Sequence, residues 1–178
     1  MIRNFLIRSF AGALFIMVSF AGMVHSQTGA SGDTGRAQIS GTVFGLGANF
    51  SATSGIGVSL RLHLPDRISG MVTGYGFKTS DEVMYNFGFE LQYDVVVKER
   101  LRFYALGGVS HFYDEFRNGP PPTTNTYSDP DRFGGGFGVE VYLTGLDICV
   151  AAEIALTSFQ PSGDLIPYPS ANVHYYFR

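Results

Sequence analysis

From Ile39 onward the chain alternates apolar and small or polar residues at period two, and no 3.6-residue helical repeat persists. Phe44, Leu46, Ala48 and Phe50 share one face against Gly45, Gly47 and Asn49. Ile56, Val58, Leu60, Leu62 and Leu64 alternate strictly with Gly57, Ser59, Arg61 and His63. A third segment sets Met71, Thr73, Tyr75 and Phe77 against Gly70, Val72, Gly74 and Gly76. A fourth sets Val83 through Val95, taken at every second residue, against Met84, Asn86, Gly88, Glu90, Gln92 and Asp94. The fifth, Leu101 to Tyr113, is apolar on both faces, so its orientation is open. In the sixth, Phe133, Phe137, Val139, Val141 and Leu143 oppose Gly134, Gly136, Gly138 and Glu140. The seventh opposes Ile148, Val150, Ala152, Ile154 and Leu156 to Cys149, Ala151, Glu153 and Thr157, and the last runs Ala171, Val173, Tyr175, Phe177 against Asn172, His174 and Tyr176.

These segments predict eight strands. Every second connection is tight (Pro65-Asp66-Arg67, Lys98-Glu99-Arg100, Thr144-Gly145), whereas the others range from a short one at Ala52-Thr53 to long ones at 114–131 and 158–168. Short turns at one end and longer loops at the other are the layout of a membrane barrel with its tight turns in the periplasm. The two faces separate this from a soluble sandwich. The second face is largely glycine with scattered Arg, Glu, Asp, Asn and His, which suits a narrow lumen where small residues make room for a few large polar ones. The other face is Phe, Tyr, Leu, Val and Ile, suited to lipid. In hydrocarbon an unpaired edge leaves backbone groups unsatisfied, so such a sheet must close. The expectation is an all-β, eight-stranded antiparallel up-and-down transmembrane β-barrel over residues 39–178.

The N-terminus changes the picture by adding a route. Arg3 and Arg8 precede an apolar run from Phe10 to Val24, and Val24-His25-Ser26 supplies residues compatible with cleavage before Gln27. Residues 1–26 read as a cleavable signal peptide, too short to span a bilayer, and 27–38 as a flexible periplasmic tail. Charged residues make up 15% of the 178-residue chain, below the about 25% of ordinary soluble proteins. A net charge of −3 argues against nucleic acid. The single cysteine, Cys149, forms no internal disulfide.

Candidate chemistry lies mainly in the charges on the small-residue face. Arg61, Glu90, Asp94, Glu140 and Glu153 are expected in the lumen as a cluster, read as a polar plug in preference to an ion path because eight strands leave little bore. Arg102 and Asp147 are expected at the periplasmic rim. Ser110-His111, followed by Asp114 and Glu115, is the only nucleophile–base candidate, but adjacent strand residues point to opposite faces. His63 and His174 lack a third ligand at metal spacing, and Gly134-Gly135-Gly136 has no helix after it to bind phosphate. No metal or cofactor is expected. The proline-rich loop 114–131 offers a surface for binding through Phe116, Arg117 and Tyr127.

The leader, Leu106-Gly107-Gly108-Val109, Phe133-Gly-Gly-Gly-Phe-Gly-Val-Glu-Val141 and the aromatic end His174-Tyr-Tyr-Phe177 together resemble the small outer-membrane β-barrels, both OmpX-like and OmpA-transmembrane-domain-like. The resemblance covers about residues 40–178. It implies a Gram-negative outer-membrane location, contact with outer-membrane lipid, and handling by the barrel-assembly machinery through Val173, Tyr175 and Phe177. Arg178 departs from the terminal aromatic usual in that family. The expected role is a monomeric, non-enzymatic barrel with a plugged lumen, serving envelope structure or adhesion to a surface protein or glycan. The alternatives are a narrow porin-like channel, a lipid-modifying enzyme, and a soluble periplasmic barrel for a hydrophobic ligand.

Overall fold

The computed structural model describes residues 42–65, 67–117, 125–128, 130–143 and 145–177. The expected signal peptide and tail, the turn residues Asp66 and Thr144, the loop tip 118–124 and Arg178 lie outside the described residues. Among the described residues nine strands run in chain order: β1 Val43–Ser51, β2 Gly55–His63, β3 Ile68–Lys78, β4 Glu82–Lys98, β5 Leu101–Arg117, β6 Asn125–Ser128, β7 Asp131–Leu143, β8 Ile148–Phe159 and β9 Asp164–Phe177. Each pairs antiparallel with its neighbours in the order β4-β3-β2-β1-β9-β8-β7-β5, and β4 pairs with β5 to close the ring. Eight strands therefore form the barrel. The short β6 pairs only with the end of β5, opposite Asp114–Arg117.

The lipid-facing side carries the branched and aromatic residues of the alternation, with Leu60, Phe89, Phe137, Ile154 and Val173 all exposed. The other face of the barrel strands is buried in the lumen over the body of the ring, whereas the outer ends of β3 and β9 stand exposed. The fifth strand, ambiguous by pattern, resolves through its register: Arg102, Tyr104, Leu106 and Ser110 point inward, and Phe103 and Val109 outward. In β3 the apolar pattern misleads. Met71 and Thr73 are buried while Val72 is exposed, because pairing places Met71 opposite both Arg61 and Glu90 on the lumenal face.

Two expected loops are shorter than the sequence suggests. Of 114–131, residues 114–117 and 125–128 belong to the paired ends of β5 and β6, and 158–168 contracts to the four residues between Phe159 and Asp164. Pro167 and Pro169 lie inside β9 opposite Leu156 and Ile154. A proline has no amide to donate, so it belongs at a free edge. The Tyr176 amide donates toward β8, to the Asp147 carbonyl at 2.9 Å. With an uninterrupted register, odd-numbered β9 residues therefore aim their backbone toward β1. β1 reaches only as far as Phe50 opposite Ala171, so neither proline interrupts a ladder bond.

Candidate functional site in the lumen

The lumen is organised in layers between the tight-turn end and the long-loop end. Near the tight turns, Arg61 is fully buried and donates to Glu140 Oε2, to Asn172 Oδ1 at 2.9 Å and to Tyr176 Oη at 3.4 Å. Arg102, expected at the rim as a solvated charge, is instead 4% exposed. It donates to Asp94 at 2.7 Å, Gln92 at 2.7 Å, Ser69 at 3.1 Å and the same Glu140 oxygen at 3.2 Å, with its guanidinium over the Tyr104 ring. Glu140 is thus held between two guanidiniums. Charges this far from water persist only when paired, and each of the three is paired here, although Arg61 Nε, Arg102 Nε and Glu140 Oε1 have no hydrogen-bond partner among the described residues. Asp147 stands in the turn before β8, where its carbonyl receives the Tyr176 amide.

The two lumenal histidines act as hydrogen-bond links. His63 Nε2 lies 2.5 Å from Tyr176 Oη and its Nδ1 lies 2.6 Å from Ser69 Oγ. His174 Nε2 lies 2.8 Å from Ser59 Oγ. Among the described residues no group of three or more His, Cys, Asp or Glu is placed to hold a metal ion.

The glycine face supplies the room. An added Cβ at Gly138 would stand 2.4 Å from Tyr104 Cζ, and one at Gly45 would stand 2.8 Å from Tyr176 Cε1. Tyr104 of β5 and Tyr176 of β9 thus occupy the space that a side chain at these glycines of the adjacent strands would need. Glu90 and Glu153 occupy the middle layer, both essentially inaccessible. Glu153 Oε1 accepts from Tyr104 at 2.6 Å and from Asn172 at 2.8 Å, and Glu90 Oε1 accepts from Gln92 at 2.6 Å.

At the long-loop end the first turn closes the mouth, which the sequence alone did not suggest. β1 and β2 have nine residues each against seventeen in β4 and in β5. Their turn folds inward, leaving Ala52, Thr53 and Ser54 buried to 2% or less. Gly55 (φ 93°) and Gly57 (φ 131°) provide the backbone that this inward bend requires. Thr53 bonds Thr157 on β8, Ser110 on β5 donates to the Ala52 carbonyl, and Ser51 meets Ser170 on β9. Asn49 donates to Ser54 Oγ and to the Gly55 carbonyl. On β4, a Cβ at Gly88 would come within 2.2 Å of the Ser54 carbonyl oxygen. The turn is therefore tied to walls all round the barrel.

Ser110 and His111 do not meet as a nucleophile and base. Ser110 serves the turn from inside, whereas His111 Nδ1 lies 2.9 Å from Asp131. Phe116 and Arg117 end β5, pairing with Thr126 and Asn125, and Tyr127 stands opposite Glu115. Val173, Tyr175 and Phe177 line the outer face of β9.

Residues 11–175 match the family model described as "Outer membrane protein beta-barrel domain". No curated protein sequence is significantly similar to the chain. Similar solved structures include the N-terminal β-barrel domain of Pseudomonas aeruginosa OprF (13% identity, 76% of this chain and 96% of that one, TM-score 0.46). Neisserial surface protein A, NspA, is 17% identical over 76% of this chain and 94% of that one, with a TM-score of 0.44. Ail of Yersinia pestis, determined in a phospholipid bilayer nanodisc, is 12% identical over 76% and 98%, with a TM-score of 0.43.

Proposed function

Because the chain belongs to the outer membrane protein beta-barrel domain family, we propose that it is a non-conducting, non-enzymatic monomer of the Gram-negative outer membrane that works through its surface loops. The observation that carries this reading is the double closure of the lumen. The first turn fills one mouth, and the Arg61–Glu140–Arg102 network with its tyrosines fills the other half. These two closures, among the described residues, support a lumen that does not conduct, with the lipid-facing wall and the loops as the working surfaces.

The wall solvates in outer-membrane lipid and gives the envelope a rigid element. The β5–β6 hairpin, with Phe116, Arg117 and Tyr127, is the surface offered to a partner protein or glycan. Residues 1–26 direct export and are removed, 27–38 form the tail, and Val173, Tyr175 and Phe177 present the outward alternation that the barrel-assembly machinery reads. The separation of Ser110 from His111 supports the non-enzymatic reading over a lipid-modifying one.

The deciding experiment joins fractionation to conductance. The protein is expected in the outer-membrane fraction with a heat-modifiable gel mobility, and silent in planar bilayers. Steady single-channel openings in the folded protein would favour the narrow channel instead, and a change in lipid A on overexpression would favour the enzyme.

A further inference from the structure

The inward face of the barrel changes character beyond the first turn. At the level of the turn and below it the buried side chains are mainly Ser, Thr, Asn, Glu and Arg. Followed outward, the same alternation reaches Tyr75 and Phe77 on β3, Met84 on β4, Phe112 on β5, Phe159 on β8 and Tyr168 on β9. These six residues line a vestibule whose floor is the turn. None of them is fully buried, and Phe77 is 53% exposed. A mouth that opens to water calls for polar side chains, so an uncovered apolar lining there marks a groove for a ligand.

The vestibule wall is incomplete on one side. β2 pairs with β3 only as far as Gly74, and β1 with β9 only as far as Ala171. Past those points β3 and β9 flank a lateral gap two strands wide, about 10 Å at the usual strand spacing. Arg132 on β7 adds a specific chemistry. Its Cζ stands 3.7 Å from the centre of the Phe112 ring and 5.0 Å from that of Phe159, and the Phe159 ring lies 6.5 Å from Tyr168. Stacking on rings engages the face of a guanidinium and leaves its N–H edge, the side that holds a planar anion through two parallel hydrogen bonds. Arg61 and Arg102 already hold carboxylates, whereas Arg132 has none within ion-pair distance among the described residues. Glu82, Asp114 and Asp164 follow farther out on the inward alternation, as an acidic rim that does not pair with it.

We propose that this vestibule binds a long-chain fatty acid, its carboxylate seated on Arg132 and its chain running past Phe159 and Tyr168 to the lateral gap. Three features select that ligand. The free N–H edge of Arg132 matches a planar carboxylate. The aromatic and Met side chains give an alkyl chain an apolar path. The bore of an eight-stranded ring, narrowed further by inward rings, admits one chain and not two. The acidic rim repels a carboxylate at the mouth, which favours a head held at the floor. The site uses the first turn as that floor, so it rests on the closure in the proposed function. Planar-bilayer conductance reports on the floor, and ligand binding reports on the site above it.

The test is carbon-13 NMR of the refolded full chain in phosphatidylcholine nanodiscs, with lauric acid labelled at its carboxyl carbon as the probe. The expected result is a carboxyl signal distinct from that of laurate in empty nanodiscs, saturating at one laurate per chain. Unlabelled lauric acid should displace it, whereas methyl laurate, with the same chain and no charge, should not. R132Q should weaken binding by about tenfold or more, and R132K, which keeps the charge and loses the planar fork, should weaken it less. Heat-modifiable mobility verifies that both variants are folded. If they do not fold, the comparison of lauric acid with methyl laurate on the wild type still decides. No saturable signal, equal displacement by methyl laurate, or undiminished binding by folded R132Q would overturn the proposal. So would displacement by dodecyl phosphate more readily than by lauric acid, which would assign the site to a phosphate head.

Discussion

Thr53 at the tip of the first turn and Thr157 on the opposite wall share a hydroxyl–hydroxyl hydrogen bond of 2.5 Å across the mouth of the barrel. Residues 104 positions apart are joined there, so seating the turn requires β8, the seventh of the eight barrel strands, to be in place. The closure thus forms with the ring and not before it.

Gly88→Val tests the seat of the turn. The Ser54 carbonyl leaves no space for a Cβ at this position, so the side chain displaces the turn or strains β4. Overpacking of this kind costs about 1–3 kcal/mol. The expected result is a folded, heat-modifiable barrel with a lower unfolding temperature and brief conductance events absent from the wild type. Planar-bilayer recording alongside gel-shift melting checks both.

Arg61→Ala removes one of the two cations on Glu140 and empties a fully buried site. Breaking a buried pair on one side costs about 3–5 kcal/mol. The double variant Arg61→Met/Glu140→Met should recover much of that loss, since it removes the second charge as well. Urea unfolding of the refolded barrel in detergent distinguishes the two.

How much of this was legible beforehand differs from element to element. β2 and β4 alternate so strictly that the lumenal places of Arg61, Glu90 and Asp94 could be read directly. Arg102 could not, because β5 is apolar on both faces and only its register with β4 and β7 fixes which side is inside. β3 misled for a related reason, since Met71 and Val72 are adjacent apolar residues in a run bracketed by Gly70 and Gly74, and the alternation loses its contrast. The first turn was invisible as a closure. Ala-Thr-Ser is ordinary composition for a surface turn, and its inward bend depends on the shortness of β1 and β2 and on glycines in strands far away in sequence.

Gly138→Ala tests the packing of the aromatic layer. The added methyl group falls against the end of the Tyr104 ring, so the ring must leave Glu153. The expected loss is about 1–3 kcal/mol. Gly107→Val is the counterpart on the lipid side, where the nearest atom to a new Cβ is 3.9 Å away. Its effect should stay within about 0.5 kcal/mol. Thermal melts followed by gel mobility separate the two glycines.

Leu60→Arg places a charge in the middle of the lipid-facing wall, on a residue now 44% exposed. At the bilayer midplane such a change costs about 2–4 kcal/mol. Refolding into phosphatidylcholine vesicles, followed by urea titration, should show the loss. The variant Leu165→Arg, on the exposed part of β9 beyond the reach of β1, should behave as wild type.

Pro167 and Pro169 shape more than the local path of β9. Beyond the end of β1 this strand presents an unshared selvedge of backbone, which on most proteins would recruit a stray strand from another molecule. With two of its amide donors missing, and the neighbouring carbonyls unable to propagate a ladder alone, that hem cannot be stitched to a second sheet. A gap that the short first hairpin leaves open is thereby kept from becoming a seam between molecules.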